Sequence, residues 1–154
     1  MTVSLLDVNV LIALLDPTHT FHPSAARWFR QHSSQGWATC PLTENSFVRI
    51  VTHGSYPSPR TVADAIDVLE AARAQADHSF WPDDLSLADT AVIDPGHILS
   101  SGQVTDSYLL GLAVRAGGHF VTFDRRIDLA AVRTASASAL VVLNPKLPES
   151  AISV

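Results

Sequence analysis

The chain has 154 residues, of which 47% are hydrophobic and 16% are charged, and its formal net charge is −5 at pH 7. This length and composition predict one globular domain over residues 1–154 rather than a disordered chain. The negative charge argues against a general nucleic-acid coat protein, which is normally basic. It does not exclude a nuclease, because clustered carboxylates that bind cations can attract phosphates.

Cysteine usage and the length of the apolar runs indicate the compartment. The single cysteine, Cys40, excludes an internal disulfide and fits a reducing environment. No apolar run approaches the ~20 residues of a membrane span, and the N-terminus lacks the basic region of a signal peptide. We therefore expect a cytoplasmic protein with no membrane contact.

Short apolar runs alternate with longer amphipathic segments along the chain. The short runs predict strands at 3–6, 37–40, 78–81, 119–123 and 140–143. The longer segments predict helices at 10–15, 24–32, 41–51, 60–76, 85–93 and 103–116, and a tail follows from Pro145. Strands that alternate with helices predict an α/β fold, here a sandwich with a central, mostly parallel sheet.

The segment 60–76 has the clearest amphipathic pattern. Its acidic residues fall on one side, which we expect to face solvent. The opposite side, which we expect to be buried, carries Val62, Ile66, Leu69 and Ala76.

Four acids lie where predicted strands end or predicted helices begin. They are Asp7, Glu44, Asp106 and Asp124. The carboxyl ends of parallel strands border the crevice where ligands bind, and a buried carboxylate is costly unless a positive charge meets it. Since Mg²⁺ and Mn²⁺ prefer oxygen ligands, we expect these acids to converge on divalent cations. Three small polar residues could orient the acids or hold metal-bound water: Asn9, Thr105 and Thr122.

Each acid also has a simpler explanation when it is considered alone. Glu44 and Asp106 could be charges in the first turn of a helix, worth only ~0.3–1 kcal/mol. Asp7 could cap a helix and Asp124 could cap a turn. Arg49 follows Glu44 at helical spacing and could be its ion-pair partner.

Four segments in this order resemble those of a PIN-domain protein, and most closely the VapC-type toxins of bacterial toxin–antitoxin pairs. The segments are Leu5-Leu-Asp-Val-Asn-Val-Leu-Ile12, Leu42-Thr-Glu-Asn-Ser-Phe47, Gly102-Gln-Val-Thr-Asp-Ser-Tyr-Leu-Leu-Gly-Leu-Ala113 and Phe120-Val-Thr-Phe-Asp124. They span almost the whole chain, and Thr-Asp-x-Tyr-Leu-Leu is the most distinctive.

The resemblance implies an endoribonuclease that depends on Mg²⁺ or Mn²⁺ and has a compact α/β/α sandwich fold. It implies that the four acids occupy the metal-site positions of the family, and that Asn9 stands where the family varies among small polar residues. It also implies a VapB-type antitoxin as partner, and often a homodimer. Arg125 and Arg126 could contact the RNA or pair with Asp124, and Asp128 could be an auxiliary ligand or a surface acid.

Other functions remain open at this point. A PIN-domain nuclease that processes or degrades RNA without an antitoxin would carry the same acids, and a catalytically silent relative could bind RNA or a protein partner. A phospho-accepting receiver domain fits poorly, because Asp7 has no adjacent acid and Lys146 lies in a proline-bounded tail. A phosphatase with an Asp-x-Asp motif fits poorly too, because Asn9 replaces the general acid.

Overall fold

The computed structural model describes residues 2–146, and their core is a five-stranded parallel sheet. The strands are β1 (Ser4–Leu6), β2 (Trp37–Thr39), β3 (His78–Phe80), β4 (His119–Thr122) and β5 (Leu140–Val142). They are arranged in the order β3-β2-β1-β4-β5, so that β1 is central. The predicted α/β fold with a parallel sheet is therefore confirmed. The end of the predicted tail, from residue 147, lies outside the described residues.

Five α-helices connect the strands: α1 (Val8–Leu15), α2 (His22–His32), α3 (Pro41–Val51), α4 (Val62–Arg73) and α5 (Val104–Arg115). Within residues 2–146, none of them is long and apolar enough to cross a membrane. Successive residues of a strand point to opposite faces of the sheet, so each strand contributes to two cores. Leu6 and Val121 pack in the core that α1–α4 cover, whereas Leu5 and Phe120 pack against α5.

The predicted helix at 85–93 is wrong: this segment is irregular and contains turns. Ser86 Oγ accepts the Ala88 N–H at 3.1 Å, and Asp89 Oδ1 accepts the Ala91 N–H at 3.2 Å. Side chains of this kind offer the backbone a local alternative to helical hydrogen bonds. The two apolar ends, Leu85 and Ile93, are buried against α5, so they mark anchor points of a loop rather than one face of a helix.

The buried face of α4 also differs from the prediction. Ala65, Leu69 and Ala72 are buried, whereas Val62 is 55% exposed and Ile66 is 49% exposed. Both sets follow helical spacing and overlap at Leu69, so periodicity alone could not choose between them. The helix ends at Arg73, and Ala76 lies beyond it. The exposed pair leaves an apolar strip on α4.

The turn between α5 and β4 lies so close to Val3 and Trp81 that residue 118 is restricted to glycine. A Cβ atom there would lie 2.5 Å from the carbonyl oxygen of Val3 and 2.7 Å from the Trp81 ring. We expect Gly118→Ala to lower the free energy of unfolding by about 1–3 kcal/mol, the range typical of overpacking. Gly54→Ala is the matched control, because a Cβ atom there would meet nothing within 4 Å. Chemical denaturation would measure both, and equal stability of the two variants would contradict this packing.

Candidate functional site

Thr122, the last residue of β4, connects the polar groups at the carboxyl edge of the sheet. It is fully buried, and its hydroxyl donates to Asp7 Oδ2 at 2.6 Å. Thr122 Oγ1 also accepts the backbone N–H of Asp124 at 3.0 Å and the side-chain N–H of Asn9 at 3.4 Å. Asn9 Oδ1 in turn accepts the N–H of Phe123 at 3.3 Å. One hydroxyl therefore fixes the positions of groups from two neighbouring strands.

Asp7 directly follows β1 and caps α1, because its Oδ1 accepts the Val8 N–H at 2.7 Å. Only 2% of the residue is exposed. Burial raises the pKa of this carboxyl, the hydrogen bonds from Thr122 and Val8 oppose that rise, and the negative charge of Asp124 adds to it. The helix-cap role and a role in a shared site thus coexist at one side chain.

Asp106, in the first turn of α5, lies close to Asp7 and Asp124. Burial and then the negative charges of Asp7 and Asp124 raise the pKa of Asp106 to about 7. Asp124 behaves in the opposite way, because its hydrogen bonds with Arg126 lower its pKa although burial opposes them. Arg126 donates to both oxygens of Asp124, from Nε to Oδ1 at 3.1 Å and from Nη2 to Oδ2 at 3.0 Å. The structure therefore brings three of the four predicted acids together.

Glu44 has a different set of partners. The Thr39 hydroxyl donates to Glu44 Oε1 at 2.6 Å, and Thr39 Oγ1 lies 2.8 Å from His78 Nε2. Arg73 at the end of α4 places its Nε 3.4 Å from the same Oε1. The suggested partner Arg49 is therefore wrong, and the ion pair is made by Arg73. The contacts that Glu44 makes within residues 2–146 are therefore with β2 and with the end of α4.

Sequence reasoning missed these partners of Glu44, because Arg73 and His78 are remote from it in the chain. They meet only because β2 and β3 are neighbours and α4 returns the chain beside them. No local spacing signals such a contact.

Replacing Arg73 by methionine is expected to raise the pKa of His78. Burial lowers that pKa, the positive charge of Arg73 lowers it further, and Glu44 opposes both effects. Methionine keeps an aliphatic chain over the Phe80 ring, where the guanidinium now lies 4.7 Å from the centroid, but it removes the charge. An NMR titration of the imidazole would measure the shift. The free energy of unfolding should fall by less than about 1 kcal/mol, because the arginine is largely exposed.

Arg73→Lys is the matched control for this experiment. It keeps a positive charge and should leave the His78 pKa close to that of the wild type. A pKa that stays unchanged or falls in the methionine variant would contradict the described network.

The other predicted site residues lie at the rim. Arg125 and Arg126 are exposed, and Thr105 is exposed in the first turn of α5. Asp128 caps a short 3₁₀ helix and places its Oδ2 3.1 Å from His97 Nδ1. Asp128 therefore has surface partners of its own.

The donor set fits a hard divalent cation in chemistry and in charge, because three carboxylates lie near enough for their charges to interact and the pKa values of Asp7 and Asp106 are raised. The positions of the side chains, however, do not yet form a metal site. Among residues 2–146, no three Asp, Glu, His or Cys side chains are placed so that they could hold one metal ion together. Arg126 donates hydrogen bonds to both oxygens of Asp124. Glu44 accepts a hydrogen bond from Thr39 and forms an ion pair with Arg73.

Comparison with known proteins agrees with this architecture. The PIN domain family matches residues 4–133. The chain is 48% identical over 140 residues to Ribonuclease VapC44 of Mycobacterium tuberculosis, which covers 91% of the chain and 99% of that protein. It is 46% identical over 141 residues to Ribonuclease VapC39 of the same organism, with the same two coverages. Ribonuclease VapC38 is 48% identical over 122 residues, 79% of the chain and 84% of that protein.

The family match covers most of the chain, and the similar proteins align over nearly their entire length. The aspartates after β1 and β4 and the aspartate that opens α5 all lie within the matched residues. The chain therefore belongs to the PIN domain family, and within it to the VapC-type proteins.

Proposed function

We propose that this protein is an endoribonuclease that cleaves RNA phosphodiesters with the help of Mg²⁺ or Mn²⁺, as the toxin of a VapBC-type toxin–antitoxin pair. Several relatives at 43–48% identity bear the name ribonuclease. The observation that carries the proposal is the mutual approach of Asp7, Asp106 and Asp124 at the carboxyl edge of the sheet.

In this proposal the three aspartates would hold the cation once Arg126 releases the oxygens of Asp124, and Glu44 from α3 would contribute a fourth carboxylate if Arg73 releases it. When bound, such an ion neutralises charge on the phosphodiester and lowers the pKa of water. The roles of the chain itself are positional. The Thr122 hydroxyl and the Val8 N–H each hold one oxygen of Asp7, and the exposed Arg125 and Arg126 are suited to contact phosphates.

The proposed protein partner is a VapB-type antitoxin. Exposed apolar side chains on α4 and β3 support a protein partner, since Val62, Ile66 and Phe80 are 55%, 49% and 45% exposed. They line an open cleft of about 600 Å³ that Glu44 also borders. Exposed apolar residues that share a groove often mark a protein interface. The homodimer, the single domain over 1–154 and the cytoplasmic location stay predictions, and light scattering after size-exclusion chromatography would test the first.

RNA sequencing of 5′ ends would test the activity. After brief expression of the wild type, we expect new 5′ ends at a reproducible position, and Asp7→Asn should remove them. The purified protein should make the same cut with Mn²⁺ and lose it in EDTA.

Asp128→Asn is the matched control, because it makes the same chemical change at an exposed aspartate with separate partners. It should cut like the wild type. Cleavage that survives in folded Asp7→Asn would reject the proposed site, and a wild type that cuts no RNA would identify a catalytically silent relative.

A further inference from the structure

An open cleft of about 500 Å³ lies beside Asp124. Its lining combines aromatic and cationic side chains, namely His19, Phe21, Phe123, Arg125 and Arg126, with Asn9 and Asp124. The proposed chemistry of the carboxylates does not use the three rings. The cleft and the aspartates share Asp124, so a ligand strand could occupy both at once.

The three aromatic rings contact one another in series at tilted and edge-on angles, and we call this group of rings the shelf. The centroids of Phe21 and Phe123 are 5.2 Å apart with an interplanar angle of 46°, and those of His19 and Phe21 are 5.6 Å apart at 64°. All three residues are partly exposed. Aromatic faces that remain open to solvent beside a polar site can stack on a flat ligand.

Backbone hydrogen bonds hold the shelf in place. His19 Nδ1 accepts the Phe21 N–H at 3.0 Å, which leaves the proton of the ring on Nε2 as a free donor. The Phe123 N–H donates to Asn9 Oδ1, and Asn9 also bonds Thr122. The rings are thus tied to the network that positions Asp7, and little ordering is required when a ligand binds.

The charge beside the shelf is positive although the whole chain carries −5. Arg125 is exposed and makes no side-chain hydrogen bond or ion pair within residues 2–146, whereas Arg126 is engaged by Asp124. Aromatic side chains next to an unengaged arginine are typical of surfaces that bind single-stranded nucleic acid, where bases stack and phosphates pair with the cation.

We propose that this cleft binds one unpaired base of a single-stranded RNA, stacked on Phe21 and Phe123, while Arg125 contacts a neighbouring phosphate. The inference rests on the proposed ribonuclease function and adds the residues that bind a base beside the proposed cleavage site. A base inside a duplex is already stacked and cannot enter the cleft, so the site selects loops and other unpaired segments. An aromatic or apolar side chain of a protein partner is the competing occupant, and the cationic rim favours RNA.

Fluorescence anisotropy of labelled RNA would test this inference apart from cleavage. The protein would carry Asp106→Asn and be kept in EDTA, so that the RNA stays intact. The probes are a ten-nucleotide oligouridylate, the same ribose–phosphate chain without bases, and a duplex of equal length. We expect the base-containing single strand to bind about tenfold more tightly than either other probe, which is the scale of aromatic stacking.

Leucine variants would locate the preference. Phe21→Leu and Phe123→Leu keep an apolar side chain but lose the aromatic face, and each should reduce the preference for bases towards onefold. Phe80→Leu is the matched control, because Phe80 is an exposed aromatic residue that lines the other cleft, and it should bind like the parent. Arg125→Gln should weaken all single-stranded probes, whereas Arg30→Gln on α2 should not.

A second measurement guards against misfolding of the leucine variants. Photo-crosslinking of 5-iodouridine RNA to the protein with intact rings should label the peptides that contain Phe21 or Phe123. Labelling elsewhere, or equal binding of the base-containing and base-free strands, would overturn the inference. So would leucine variants that bind RNA normally but bind the protein partner less tightly.

The two proposals can fail separately. If the wild type cuts RNA and the base preference is absent, only the proposed base site is rejected. If the base preference is present and nothing is cut, only the nuclease proposal fails.

Discussion

Asp106→Asn is expected to abolish RNA cleavage and, at the same time, to raise the melting temperature of the protein in EDTA. Burial and the charges of Asp7 and Asp124 raise the pKa of Asp106 to about 7. The ionised carboxylate is therefore unfavourable in the folded protein. Asparagine has no charge, and its amide can donate towards Asp124 as the protonated acid does. Activity should fall more than about 100-fold, since even residues outside a metal's ligand shell cost 10–100-fold.

The gain in stability of Asp106→Asn over the wild type should grow as the pH rises. Below the ordinary aspartate pKa of 3.8 the carboxyl is protonated in both the folded and the unfolded chain, so the substitution changes little. Between that value and about 7 the folded protein holds a proton that the unfolded chain loses, so wild-type stability falls as the pH rises. A rise of the pKa from 3.8 to about 7 corresponds to about 4 kcal/mol at full effect. Because Asp106 is only half-buried, solvent screens its charge, so at pH 8 we expect a gain on the order of 2 kcal/mol, or about 5 °C.

Thermal denaturation of the wild type and the variant in EDTA at pH 4, 6 and 8 would measure this gain. Asp128→Asn is the control, and its stability relative to the wild type should not rise with pH. Mn²⁺ should stabilise the wild type, because a cation offsets the repulsion among the aspartates, and it should stabilise the asparagine variant less. An Asp106→Asn protein that is less stable than the wild type at pH 8 would contradict the described electrostatics. Equal stabilisation of both proteins by Mn²⁺ would place the cation elsewhere.

The features that local sequence determines were predicted correctly. β1, β4 and β5 lie in short runs rich in apolar residues, and a carboxylate that directly follows such a run lies at the carboxyl edge of a parallel sheet. That reasoning placed Asp7 and Asp124 at the ends of two strands, and the structure adds that these strands, β1 and β4, are neighbours. Asp106 followed from its place in the first turn of a buried helix.

The features that depend on long-range packing were not predictable in this way. On α4, Val62 and Ile66 fit an apolar stripe as well as Ala65 and Ala72 do, and only the contact with α3 and α1 decides which stripe is buried. The orientation of Glu44 is a similar case, because its partner Arg73 comes from another helix. The helix predicted at 85–93 was wrong for a similar reason, because the two buried residues Leu85 and Ile93 resemble one apolar face of a helix.

Thr122→Val is expected to lower both activity and stability although it preserves the shape of the side chain. The hydroxyl donates to Asp7 Oδ2 at 2.6 Å and accepts the Asp124 N–H at 3.0 Å in a fully buried position. Valine leaves both partners unsatisfied, which typically costs about 1–3 kcal/mol of unfolding free energy. It should also raise the pKa of Asp7 further, because the Thr122 hydrogen bond lowers that pKa.

Cleavage by Thr122→Val should fall about 10–100-fold, the usual cost of losing a group that orients a metal ligand. Higher Mn²⁺ concentrations should restore part of the activity, because a misdirected Asp7 weakens cation binding before it prevents cleavage. Thr122→Ser is the matched variant, since it returns the hydroxyl without the methyl group and should recover most of the lost activity. Steady-state cleavage of a defined RNA across a Mn²⁺ titration would measure all three proteins. If Thr122→Val cuts as fast as the wild type, the hydroxyl does not position Asp7 for the reaction. If Thr122→Ser does not recover the activity that Thr122→Val loses, packing of the methyl group is the dominant effect.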